Sequence, residues 1–293
     1  MTARPVLVIG AAGLVGAHVR AAFAGRDVVA TYHRRSVRDA EPLDVTDADA
    51  ARALVARVRP DVVLLAAAEP FVERCEREPA ETRRINVEGT RHVATAAADA
   101  GALLVVFSSE YVFDGREGPY AEDAATAPIN EYGRQKVEIE AIARELPRHL
   151  VCRTSGVFGW DPQRKNFACQ VVDHLRSRRR FVVPSDQVVT AAYAPSLAAA
   201  VRDLVDGGHV GVVHVAGPRV QRRPDFARIA ARAFGLDESL IDERATADLD
   251  YAAPRPLGAG LRTDRLRALI GHGLVDPVDA LADMRRTEPG AQL

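Results

Sequence analysis

The chain has 293 residues, 47% hydrophobic and 27% charged, which is enough for one large domain or for a medium domain with a smaller companion. With 39 basic against 40 acidic residues the net charge is -1, so no whole-molecule field gathers nucleic acid or an anionic membrane. Cys75, Cys152 and Cys169 lie far apart and outside CxxC spacing, which suggests neither a disulfide framework nor a zinc site and fits a reducing cytoplasm.

In chain order, Val6 to Ile9 reads as a strand, a glycine-bearing turn follows, and Val15 to Phe23 has helical spacing. Val28 to Tyr32 reads as a second strand, Ala48 to Val58 as a helix and Val62 to Ala67 as a third strand buried on both faces. A helix is expected near Thr82 to Ala100, then the strand Leu103 to Phe107, a loop from Asp114 to Pro128, a helix from Glu131 to Glu145 and the strand Leu150 to Thr154. Val210 to Val215 makes six strands in one series. The alternation predicts an α/β fold, a Rossmann-type doubly wound parallel sheet. Residues 156–185 and 217–293 break the rhythm and are expected to form one small discontinuous substrate-binding domain, beside a cofactor-binding domain of 1–155 and 186–216. Apolar runs such as Val62 to Ala68 fall far short of the roughly 18 residues that span a bilayer, and no export signal is visible.

Four places carry chemistry. Gly10-Ala11-Ala12-Gly13-Leu14-Val15-Gly16 occupies the first strand-to-helix turn, where missing side chains admit a pyrophosphate to the free N–H groups of a helix N-terminus. The second strand ends His33-Arg34-Arg35 with no acidic residue for a ribose hydroxyl, so the 2′-phosphate of NADPH is favoured over NAD. Asp44 and Val45 are placed to meet the adenine. Tyr132 and Lys136 stand four residues apart on one helix face, and a cation beside a phenol is expected to lower the phenol pKa toward working pH. Lys136 is one of only two lysines among the 39 basic residues, an exception that a site needing a compact ammonium would explain. Ser108 and Ser109 follow the fourth strand signal, at the sheet edge where doubly wound folds bind ligands.

With Ser108-Ser109-Glu110-Tyr111-Val112-Phe113-Asp114-Gly115, Arg153-Thr154-Ser155, Asn166-Phe167, Asp186-Gln187 and Arg255-Pro256 added, the chain resembles the extended short-chain dehydrogenase/reductases, and within them the dTDP-4-dehydrorhamnose reductase group. The resemblance implies an oxidoreductase that uses NADPH to reduce the 4-keto group of a nucleotide-activated deoxysugar. It implies Ser109, Tyr132 and Lys136 as catalytic residues and cofactor contacts that extend to Ala66, Ala67 and Ala68. Substrate contacts are implied for Ser109, Glu110, Tyr111, Asn166, Gln187 and Arg255. Glu110 replaces the usual Asp, Gly156 an aromatic, and Ala191-Ala192 a Pro-Thr pair, departures that touch sugar selection. The alternatives are a non-catalytic NADP-binding subunit similar to the methionine adenosyltransferase β-subunit, or an epimerase or dehydratase of the same superfamily. A nucleotide sugar is the expected partner, with a homodimer allowed and no metal, nucleic acid or membrane. Of the remaining features, Arg176 to Arg180 reads as a cationic helix end and His214 as a buried, hydrogen-bonded strand residue.

Overall fold

A computed structural model describes residues 4–289. The strands of the central sheet are β1 (Val6–Ile9), β2 (Val28–Tyr32), β3 (Glu41–Pro42), β4 (Val62–Leu65), β5 (Leu103–Ser109), β6 (His149–Thr154) and, after two short strands β7 (Phe181–Pro184) and β8 (Val188–Val189), β9 (Gly211–His214). They run parallel in the order β3-β2-β1-β4-β5-β6-β9. The expected doubly wound α/β sheet is therefore the observed one, with a seventh strand, β3, too short to show as a hydrophobic pattern.

Why these strands read as unbroken apolar runs is visible in their side-chain alternation. Val6 and Val8 of β1 enter one core with α1 (Leu14–Ala22) and α8 (Ala194–Asp206), while Leu7 and Ile9 enter another with α2 (Ala48–Val58) and α5 (Gly89–Ala100). Both faces of β1 are buried, so both sets of its positions are apolar.

The single helix expected over Thr82 to Ala100 is instead α4 (Pro79–Arg83), a π-helical turn at Arg84–Glu88 and α5, preceded by an unexpected α3 (Val72–Arg77). The π-turn carries Asn86, whose amide donates to Gln135 Oε1 at 2.8 Å and to the Glu69 carbonyl at 3.1 Å and accepts from the Glu69 N–H at 2.7 Å. A buried amide making three hydrogen bonds accompanies a local departure from α-helical winding that apolar periodicity does not encode.

A third core joins α7 (Phe167–Arg176), α9 (Arg223–Phe234) and α11 (Pro277–Arg286) around Phe158, Val172, Phe226 and Met284. Two small sheets accompany it: β10 (Gln221–Arg222) on β8, and β11 (Ile241–Arg244) on β7. Leu266 of α10 (Asp264–Ile270) and Leu274 pack into the first core, against the Rossmann sheet. Arg176 ends α7 and pairs with Glu288. His214 is fully buried, bonded through Nδ1 to the Arg262 carbonyl at 3.0 Å. No helix among the described residues is long and apolar enough to cross a membrane.

Candidate active site

The glycine-rich turn lies at the carboxyl end of β1, between β2 and β4. Its three glycines have different reasons to be there. Gly10 has φ +94°, and a Cβ on it would come within 2.5 Å of the Ala67 nitrogen. A Cβ on Gly16 would overlap the Gly10 carbonyl. Both are demanded by the protein's own packing. At Gly13 the nearest atom to such a Cβ would be 3.6 Å away, an ordinary contact. Gly13 is also the N-cap of α1, which has no side-chain cap and no acidic residue in its first turn. A backbone left bare where the fold does not require it, beside uncapped first-turn amides, fits a pyrophosphate bound through Leu14, Val15 and Gly16.

The basic end of β2 is more spread out than the sequence suggests. Arg35 donates to the Ala12 carbonyl and so holds the glycine turn, whereas Arg34 is exposed near Glu81. His33 lies 3.5 Å from the Asp44 carboxylate, which also accepts from Thr46 N and Oγ1 at 2.9 and 2.8 Å. Arg84, exposed at the start of the π-helical turn, adds its charge near Asp44. These contacts hold the Asp44 carboxyl below the ordinary range despite desolvation. Arg84 reaches this cluster by tertiary folding, so spacing in the sequence could not reveal it. Val45 is buried in the core with α2 and α5, and Ala67 packs against Gly10, while Ala66 donates to the Ile9 carbonyl at 2.9 Å and Ala68 is exposed.

At the end of β5, Ser109 accepts from the Tyr111 N–H at 3.2 Å, and its hydroxyl lies close enough to the Tyr132 phenol to influence its protonation. The helix that brings the phenol there, α6 (Glu131–Arg144), is capped by Asn130, which accepts from Gly133 N at 2.8 Å. Gly133 lets the helix start lie flush on the Tyr111 carbonyl, which any Cβ would overlap. Tyr111 meets the Tyr132 ring edge-on at 5.6 Å. Lys136 Nζ donates to the Phe107 carbonyl at 2.9 Å and lies 5.4 Å from the Tyr132 ring centroid. Ser109, Tyr132 and Lys136 are thus gathered at one strand end.

The expected lowering of the phenol pKa is corrected. Desolvation is the largest influence on Tyr132 and pushes it above the ordinary value, outweighing the Ser109 hydroxyl. The same burial draws the Lys136 ammonium down to about 8. Tyr132 is therefore a neutral phenol at working pH, in the protonation state that a proton donor needs.

The residues expected to meet substrate divide in two. Glu110 is buried, its Oε2 has no partner, and burial raises its pKa to about 8. Arg255 ion-pairs with Glu73 at 2.6 Å and lies over Tyr251, yet its buried Nη1 is unpartnered. These two offer unused polar capacity beside Tyr111. Asn166 is spent on capping α7 and on the Gly159 carbonyl and Asp161, and Gln187 donates to Thr246 Oγ1 at 3.0 Å. Arg223 was not legible in the sequence: it projects from the start of α9 toward Glu110 and Tyr111 and lies over Phe167 at 5.1 Å. Gly156 has φ +47°, and Val189 Cγ2 stands 2.5 Å from where its Cβ would be, so a side chain there would be strained and would displace Val189. No group of three or more potential metal ligands is gathered among the described residues.

The family model described as the RmlD substrate binding domain matches residues 4–287. The chain belongs to the RmlD family. This is the group expected from the motifs. A dTDP-4-dehydrorhamnose reductase of Mycolicibacterium smegmatis is 32% identical over 277 residues, 90% of this chain and 79% of that protein. A probable low-salt glycan biosynthesis reductase of Haloferax volcanii is 31% identical over 274 residues, 90% of this chain and 91% of its own. Among solved structures, a hypothetical dTDP-4-dehydrorhamnose reductase of Sulfolobus tokodaii superimposes with TM-score 0.86 at 28% identity, covering 94% of this chain and 98% of that one. The Bacillus anthracis dTDP-4-dehydrorhamnose reductase, solved in complex with NADP, has TM-score 0.90 at 24% identity and covers 97% and 99%. This RmlD-family chain therefore shares the fold of these enzymes over nearly its whole length.

Proposed function

We propose that this RmlD-family protein is an NADPH-dependent reductase of the 4-keto group of a nucleotide-activated deoxysugar, with dTDP as the nucleotide. The observation that carries the reading is the meeting of Ser109, Tyr132 and Lys136 at the β5 end, on the same sheet edge as the uncapped start of α1. The names of the relatives supply the substrate class.

The first turn of α1 would hold the cofactor pyrophosphate, with Arg34, Arg84 and His33 around the 2′-phosphate and Lys136 on the nicotinamide ribose. When bound, NADPH supplies the hydride that reduces the carbonyl carbon. Ser109 holds the carbonyl oxygen, and Tyr132 passes its phenolic proton to that oxygen, which completes the alcohol. Glu110, Tyr111, Arg223 and Arg255 line the substrate side with unused or cationic groups. Residues 1–155 with 186–216 carry the cofactor; 156–185 with 217–293 carry the substrate, apart from α10 and Leu274, which pack on the Rossmann sheet. Three free, buried cysteines are in keeping with a cytoplasmic setting.

The test is NADPH oxidation, followed by absorbance, with dTDP-4-dehydrorhamnose and a panel of other nucleotide 4-keto-6-deoxysugars. Steady turnover with at least one of them is expected, with NADPH bound at least about tenfold tighter than NADH through charge-assisted hydrogen bonds to the phosphate. Tight NADPH binding with no turnover on any of the panel would favour a regulatory subunit.

A further inference from the structure

Tyr132, Lys136 and Glu140 follow one another at four-residue intervals on one face of α6. Glu140 is fully buried and every lone-pair direction of its carboxylate is used. Oε1 accepts from Ser108 Oγ at 2.6 Å and Arg153 Nε at 2.8 Å; Oε2 accepts from Arg153 Nη2 at 2.8 Å and Arg144 Nη2 at 2.9 Å. Arg153, on β6, is 1% exposed, lies over the Phe113 ring at 5.1 Å and gives a further N–H to the Glu122 carbonyl at 3.2 Å.

A buried pair of this kind is weak evidence for stability, because well-packed apolar residues of similar volume often do as well or better. What it does achieve is placement. Ser108 directly precedes Ser109; its carbonyl accepts from Thr154 Oγ1 at 3.0 Å, and the neighbouring Phe107 carbonyl accepts from Lys136. The carboxylate therefore ties the helix bearing the phenol and the ammonium to the strand end bearing the hydroxyl, and braces both against β6.

We propose that Glu140 is a positioning residue of the Ser109, Tyr132 and Lys136 site: its carboxylate docks α6 on the end of β5 through Ser108 and Arg153, and it places a compensating negative charge one helical turn from the Lys136 ammonium. The assignment rests on the catalytic reading of those three residues. The groups facing Lys136 are Cys75 of α3, Tyr132 and Glu140 of α6 and the Phe107 carbonyl of β5. Those facing Glu140 are Arg144, Arg153 and Ser108, with His214 of β9 and Glu122 behind Arg153. Burial pulls the ammonium down to about 8, and Glu140 with Cys75 opposes that pull. Glu140→Gln removes the opposing charge while leaving Arg153 in place, so the Lys136 midpoint moves further down. A mere loosening of the structure would expose the ammonium and move it up, toward the value of a free lysine.

Because the chain has only two lysines, the midpoint can be read directly by NMR of protein labelled with 13C at lysine Cε, with Lys165→Arg leaving Lys136 as the one signal. Glu140→Gln is expected to lower the midpoint by about 1 pH unit and to slow NADPH oxidation by about tenfold at pH 7.5. A midpoint that stays or rises overturns the proposal. If that variant does not fold, Glu140→Asp, which keeps the charge but withdraws it by one methylene from Lys136, is expected to lower the midpoint by a smaller amount, and an unchanged or higher value overturns the proposal equally. The NMR readout needs no substrate: a shift as expected in a protein that reduces none of the sugar nucleotides would refute the reductase reading while leaving the placement of Glu140 standing.

Discussion

Tyr132 shows how one side chain's chemistry follows from its surroundings. Desolvation raises the phenol pKa more than the Ser109 hydroxyl lowers it, so the phenol keeps its proton until the reaction calls for it. Tyr132→Phe retains the ring and its edge-on contact with Tyr111 but has no proton to give. The chemical step is expected to slow by about 10²–10⁴-fold, with NADPH affinity and thermal unfolding nearly unchanged; single-turnover NADPH oxidation at saturating substrate checks it, and a variant retaining a third of the rate places the acid elsewhere. His214 is a second case. Burial, then the Arg153 charge, pushes its pKa down to about 4 from 6.5. The unfolded chain binds the proton first as pH falls, so the contribution of neutral His214 is present above about 6.5 and is lost progressively toward pH 4, by about 3 kcal/mol at most. Chemical denaturation between pH 7 and pH 4 should show this slope, and His214→Gln should flatten it.

The elements show which sequence signals survive folding. The glycines of the first turn share one spacing, yet only the fold distinguishes them. Gly16→Ala drives a methyl group into the Gly10 carbonyl and is expected to destabilise by about 1–3 kcal/mol, as overpacking does. Gly13→Ala meets only an ordinary contact, so its unfolding midpoint should stay near wild type while NADPH binding weakens about tenfold or more. Denaturant titration alongside calorimetry separates the two, and equal loss of stability in both variants would remove the argument for a cofactor cradle at Gly13. Both-face burial made the strands of the sheet legible as apolar runs, and the helix α6 was legible to within a residue. The segment 72–88 was not. Its winding answers to Asn86 and the partners it finds on Gln135 and Glu69, and those contacts span 17 and 49 positions in the chain.

At the scale of the whole molecule, the C-terminal part is fastened over the sheet end by the apolar packing of Leu261, Leu266 and Leu274 and by a few polar contacts. Glu73 of α3 accepts from Arg255 Nη2 at 2.6 Å and from the Ala252 N–H at 2.7 Å, and Asn130, at the start of α6, donates to the Pro254 carbonyl at 2.8 Å. Lys165 lies over the Phe71 ring at 5.0 Å, joining the segment before α7 to the loop before α3. Glu73→Ala frees Arg255, which already has one unpartnered donor. It is expected to raise KM for the sugar nucleotide severalfold with kcat within about twofold, since it removes the orientation of Arg255, a proposed substrate contact, and no proposed reacting group. Steady-state kinetics decides, and a fall in kcat with KM unchanged would assign Glu73 to the chemistry. By itself the sequence determined what depends on neighbours along the chain: the alternation of strand and helix, the glycine turn after β1, and the Tyr132 and Lys136 pair one helical turn apart. Only the tertiary structure decided what depends on neighbours in space. It turned Arg84 and Arg223 toward sites that their spacing does not announce, it engaged Asn166 and Gln187 in internal hydrogen bonds, and it set the Tyr132 phenol above rather than below its ordinary pKa. Desolvation and hydrogen-bond pairing are properties of a packed environment, and that environment is assembled from residues far apart in the chain.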